Sequence, residues 1–172
     1  KRHGLPCLGR SEASPWREVQ QVLPLIIANA WNPVDIHILV ELLSLSESPF
    51  PNWICRTLLK AINQEPGVGG KAWNDALEEI MAKRKKELEE KDDPQNEEKA
   101  RAYIKEINSL LVEERYEPAD GIPEENLRKR CQKVIDWLGW KLETDPMLVE
   151  VVGQARQLQE LSLGKGKIPR NT

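Results

Sequence analysis

Apolar residues recur at helical spacing along most of the chain, and the gaps between these stretches are filled by proline, glycine and aspartate. Ile36, Leu39, Val40 and Leu43 fall at i, i+3, i+4 and i+7 and make one stripe, with Glu41 and Ser44 off it. Just before them, Asn32 suits an N-cap, Pro33 a first helical position and Asp35 the third, so a helix is predicted to start at Asn32. Pro49 and Pro51 bracket Phe50 and force an extended turn, after which Trp53, Ile54, Leu58, Leu59 and Ile62 form a second stripe. A helical hairpin over 32–64 follows. Its exit, Glu65-Pro66-Gly67-Val68-Gly69-Gly70, is a helix-breaking turn, and Lys71 opens the next helix.

The same reading covers the rest of the chain. Residues 1–13 lack a period and form a lead-in segment; Ser14 and Pro15 then start a helix whose face is Val19, Val22, Leu23, Ile26, Ile27 and Ala30, kinked or split near Gln21 by Pro24. Lys71 to about Lys91 carries Trp73, Ala76, Leu77, Ile80 and Met81 inward, and its second half is nearly all charge, with Lys86 against Glu90 at helical spacing. Past Asp92-Asp93-Pro94, a helix from Gln95 to Arg115 presents Tyr103, Ile104, Ile107, Leu110 and Leu111, so an antiparallel charged arm over residues 75–115 is expected to project into solvent. A loop at 117–123 leads to a helix with Leu127, Cys131, Val134, Ile135 and Leu138 buried. Asp145-Pro146 opens a last helix through Leu148, Val151, Val152, Ala155 and Leu158 to about Leu163. Met147 to Val152 is the one β-leaning run, and helical spacing is its better reading. The expected fold is therefore all-α, with six or seven helices in one irregular domain over residues 14–163 and a loose tail over 164–172.

A chain of 172 residues is near the usual size of one domain and can bury a core without disulfides or metals. The six tryptophans, against a single phenylalanine, are expected to anchor that core. Net charge is −3, and it is unevenly spread: 1–70 is balanced, 71–120 has an excess of five acids and 121–172 an excess of two bases. The whole chain does not advertise nucleic-acid binding. Cys7, Cys55 and Cys131 form no CxxC pair and have only His3 and His37 as companions, so a zinc site is not indicated, and a reducing, cytoplasmic setting fits them. No run of about 18 apolar residues is present. A chain that opens Lys1-Arg2-His3-Gly4 and ends Ile168-Pro169-Arg170-Asn171-Thr172 is expected to be an excised piece of a longer polypeptide.

The stretches VLPL at Val22–Leu25, WNPVD at Trp31–Asp35, SPFP at Ser48–Pro51 and PGVGGKAW at Pro66–Trp73 resemble part of the bacterial AddB-type proteins. These are inactivated superfamily I helicases that carry a PD-(D/E)XK nuclease domain. The resemblance runs to Trp73, with compatible helices beyond. It implies the helical, 2B-like insertion of the second RecA-like domain: a non-catalytic accessory domain of a DNA helicase-nuclease in DNA repair, orienting DNA or a partner subunit. The family's nuclease motif is not recognisable here. The alternative is a freestanding protein–protein interaction scaffold with no DNA role.

Candidate chemistry is sparse. Gly67-Val68-Gly69-Gly70-Lys71-Ala72 invites a phosphate-loop reading, but GxxxxGK[ST] would need glycine at Glu65 and serine or threonine at Ala72, and no strand precedes it. A helix-to-helix turn is the better reading. Glu78-Glu79, Glu113-Glu114 and Glu124-Glu125 sit in charged surroundings and are expected to be solvated, and His37 to be a partly buried structural residue. No catalytic residue, cofactor, metal ligand or small-molecule site is expected. Arg128, Lys129, Arg130 and Lys133 on one helix, with Lys165 and Lys167 in the tail beside Arg170, are the candidate phosphate contacts for weak, sequence-independent DNA binding. Asp136 and the neighbouring glutamates dilute that patch.

Overall fold

The apolar stripes become helices in the computed structural model, which describes residues 15–46, 48, 50–91, 94–112, 115–139, 142 and 148–170. In chain order these are α1 (Pro15–Ala28), α2 (Ile36–Ser44), α3 (Asn52–Gln64), α4 (Lys71–Glu89), α5 (Asn96–Leu111), α6 (Glu124–Gly139) and α7 (Leu148–Leu161). The fold is all-α apart from a two-residue antiparallel ladder, in which β1 (Ile122–Pro123) pairs with β2 (Lys167–Ile168) in the register Ile122 to Ile168 and Pro123 to Lys167. The lead-in segment, the Ser14 cap and the Asp145-Pro146 helix start lie outside the described residues.

α1 is the central element. It packs against α2, α6 and α7, while α2, α3, α4 and α5 follow one another as neighbouring layers. One continuous core results, in which Val22, Ile26, Leu39, Leu42, Ile54, Leu58, Ile80, Ile107, Leu111, Leu138 and Leu148 are each almost wholly removed from water. Removing this much aliphatic surface from water is the main force holding the layers together. Trp31 and Trp73 are buried, as expected of anchors, whereas Trp53 and Trp137 lie half-buried at its margin.

Several local expectations change. α2 starts at Ile36, with Asp35 rather than Asn32 as its cap: Asp35 Oδ1 accepts from the backbone N–H of His37 at 2.9 Å and Ile38 at 3.4 Å. Asn32, which precedes a cis peptide to Pro33, is committed elsewhere. Its N–H donates to Tyr116 O at 2.9 Å, Tyr116 N–H donates to Ala30 O at 2.8 Å, and its side chain reaches Glu117. α1 is not split, and runs unbroken through Pro24, which sits on its exposed side. α5 ends at Leu111, where Arg115 folds back to donate to the carbonyls of Leu111 and Val112.

The charged arm is better rooted than its composition suggests. α4 and α5 do form an antiparallel pair, but Trp73, Ala76 and Ile80 fix the start of α4, and Ala100, Ile107, Leu110 and Leu111 are buried along α5. α3 runs antiparallel beside α4, with Lys83 Nζ 4.1 Å from the Trp53 ring centre. The ion pairs formed here among the described residues are Arg84–Glu87 at 3.0 Å, Lys85–Glu97 at 3.6 Å and Arg101–Glu97 at 2.5 Å; Lys86 and Glu90 make none. Within the segment expected to be a loose tail, Lys167–Ile168 is paired with Ile122–Pro123.

Candidate nucleic-acid interface

α6 is amphipathic, with Leu127, Cys131, Val134, Ile135 and Leu138 turned to the core. Arg130, at i+3 from Leu127 and i−4 from Val134, lies on that same side and is only 1 % exposed. It therefore cannot reach a phosphate, which corrects its assignment as a candidate contact. Lys133 is half-buried and spends its ammonium on Ser109 Oγ at 2.9 Å. Lys129 is exposed but holds Glu125 at 2.8 Å, one turn back, and that hydrogen bond pulls the Glu125 carboxyl below its ordinary range. Arg128 is exposed; its carbonyl accepts from the Gln159 amide at 3.0 Å, which locks α7 against this part of α6.

The tail lysines arrive from the far end of the chain. Gly121 adopts φ +75°, and a Cβ there would stand 2.9 Å from the carbonyl oxygen of Ile168, so only glycine lets β2 lie this close. Glu124 N–H donates to Gly166 O at 2.8 Å, and Gly164 N–H donates to the Glu124 carboxylate at 2.8 Å. Lys165 and Lys167, both exposed, are thereby set at the start of α6, one turn before Arg128 and Lys129. Of the six predicted phosphate contacts, Arg128, Lys129, Lys165 and Lys167 remain available to solvent, and the tertiary fold gathers them at one end of the molecule. Glu124 and Glu125 share that end of α6 and weaken its field, while Asp136 lies about three turns further along the helix.

The glycine turn between α3 and α4 already contains its own anion. Glu65 Oε2 accepts from Ala72 N–H at 2.9 Å and the carboxylate covers Gly70, filling the place a phosphate would take at the start of α4. Gly67 and Gly69 adopt positive φ, which suits a tight helix-to-helix turn. His37 is exposed rather than partly buried, as the Asp35 cap places it on the outer side of α2. Glu78 and Glu79 are exposed, and Glu113-Glu114 lie outside the described residues. Burial pushes the Cys55 thiol up and the Cys131 thiol up to about 11, so both are protonated near neutrality. Among the described residues no three His, Cys, Asp or Glu side chains converge as a metal site would require, and no helix is long and apolar enough to cross a membrane.

Sequence reasoning missed a polar hub between α1 and α5. Arg115 Nη1 donates to Asn29 O at 2.7 Å and Nη2 to Asn29 Oδ1 at 3.0 Å, while Asn29 Nδ2 donates to Leu110 O and Leu111 O. One guanidinium thus caps the C-terminal carbonyls of two helices. Burial, with Arg130 as the nearby like charge, lowers the Arg115 pKa from its ordinary value. The only signal in the chain was an asparagine among apolar residues at the end of α1. No protein-family model, curated protein or solved structure matches this chain.

Proposed function

We propose that this chain is a non-catalytic helical accessory domain of a bacterial DNA helicase-nuclease, acting in DNA repair by orienting DNA or a partner subunit. The helicase-nuclease setting rests on the resemblance of the Val22–Trp73 stretches. The contact with DNA rests on one observation. The tail hairpin folds Lys165 and Lys167 onto the start of α6 beside Arg128 and Lys129, so basic residues distant in sequence form one exposed end. Such a set binds phosphates without reading sequence, and its affinity falls steeply with salt.

A second reading has its own support. Leu161 and Leu163 are 60 % and 55 % exposed at the end of α7, close to the same hairpin, as a protein-docking scaffold would present them. Fluorescence anisotropy with single-stranded and forked DNA at low and moderate salt separates the two. Salt-sensitive binding that is lost in the Arg128→Glu/Lys129→Glu/Lys165→Glu/Lys167→Glu variant is the expected result. No binding at low salt would overturn DNA contact and leave the scaffold reading.

A further inference from the structure

We infer that the Glu124 carboxylate is a positioning group for the basic end of α6, holding the turn that carries Lys165 beside Arg128 and Lys129; this rests on the nucleic-acid reading above and names how its site is assembled. Glu124 opens α6 and follows β1 directly. Its carboxylate accepts from Gly164 N–H and its backbone N–H donates to Gly166 O, both at 2.8 Å. The chain is thus gripped on each side of Lys165. Two further hydrogen bonds of that turn, Lys165 N–H to Ser162 O at 3.2 Å and Lys167 N–H to Lys165 O at 2.8 Å, are local and set its curl rather than its place. A Cβ added at Gly164 or Gly166 would meet nothing within 4 Å beyond its chain neighbours, so no side-chain packing at either glycine locates the turn. The bonds to Glu124 do.

The two acids at this end of α6 have unlike roles. Glu125 is exposed and holds Lys129 at 2.8 Å, so it competes with a phosphate for that ammonium. Glu124 instead spends its carboxylate on a glycine amide, and Lys165, fully in solvent, forms no ion pair among the described residues. Its ammonium serves a phosphate as long as the turn stays against α6. Lys167 is held there by the β1–β2 ladder whatever stands at position 124, whereas Lys165 lies outside that ladder. Like charge repels a phosphate, so Glu124 lowers the affinity of the site through its charge and raises it by keeping Lys165 in reach. Charge and placement act in opposite directions at this one residue.

Two variants that both remove the charge separate the effects. Glu124→Gln keeps a side-chain oxygen for Gly164 N–H, and Glu124→Ala does not. Anisotropy of the whole chain with labelled duplex DNA across a salt series should show weaker binding by Glu124→Ala than by Glu124→Gln. The slope of log affinity against log salt should also be smaller, by up to about 0.9, the share of one duplex phosphate. In a Lys165→Gln background the two should bind alike, and circular dichroism checks that each variant is folded. Equal binding by Glu124→Ala and Glu124→Gln, with salt-sensitive binding by wild type, would overturn the inference and leave the nucleic-acid reading standing. A deficit of Glu124→Ala that persists in the Lys165→Gln background would trace to a loosened α6 and overturn it as well. No binding by wild type at low salt would overturn the reading and the inference together.

Discussion

The α4–α5 and α6–α7 hairpins are both antiparallel helix pairs, yet they are held by different means. α6 meets α7 along an aliphatic seam, in which Leu127, Cys131, Val134 and Leu138 face Leu148, Val151, Val152 and Ala155, all buried. In the α4–α5 pair, the aliphatic contact thins toward the tip, where Ala100 is still buried, and the distal half adds Arg84–Glu87, Lys85–Glu97 and the Arg84 guanidinium 5.3 Å from the Tyr103 ring. Exposed ion pairs contribute roughly 0–1 kcal/mol each, less than the burial of one leucine, about 1.5–3 kcal/mol. Charge density along a helix pair is therefore a poor guide to how firmly it is held. What matters is how far the apolar seam extends.

The strongest way to break this comparison is to cut equally at both seams. Leu138→Ala, at a wholly buried site, should cost about 2–5 kcal/mol in denaturant unfolding, whereas Leu88→Ala, half-buried near the α4–α5 tip, should cost under about 1 kcal/mol. Equal losses would show that the tip is as well packed as the seam. A smaller effect tests the root of α5. Asn29→Ala removes the donor to Leu110 O and Leu111 O and the acceptor for Arg115, and should cost about 1–3 kcal/mol by the same measurement. Hydrogen exchange should then quicken in α5 before α6.

Alkaline pH sharpens the contrast with a gentler perturbation. Burial raises Cys131 in the α6–α7 seam from 9.0 to about 11 and Tyr103 in the other hairpin from 10.0 to about 12. In each case the unfolded chain loses its proton first, so the folded state binds more protons and stability falls as pH rises, between about 9 and 11 for Cys131 and about 10 and 12 for Tyr103. Urea midpoints should decline from pH 9 upward, and Cys131→Ala should lessen the early part of that decline, leaving the share that the likewise raised Cys55 contributes. An unchanged pH profile in the variant would mean the thiol titrates alike in both states.

The helices themselves were legible because their signals are local. The stripe Ile54, Leu58 and Ile62 of α3 and the glycine turn before α4 stand where period and turn chemistry place them. The candidate site was half legible. Its lysines were visible as charges, but Lys165 and Lys167 reach α6 only because Gly121 lets Ile168 lie against it, a pairing across the whole C-terminal third. Two-residue strands carry too few side chains to show a period of two, so the ladder left no pattern to read.

The sequence by itself determined where the chain is helical, where it turns, and that its charges are segregated, since each depends on residues within one or two turns of one another. The tertiary structure decided which charges remain in water. Arg130 reads as one of four bases on α6, and is buried because both flanks of its face are covered by the fold. Asp35 rather than Asn32 caps α2 because Tyr116 draws the Asn32 backbone into a bridge from far along the chain. Periodicity tells which residues share a face, but the breadth of that face withdrawn from water depends on how many neighbours pack against it.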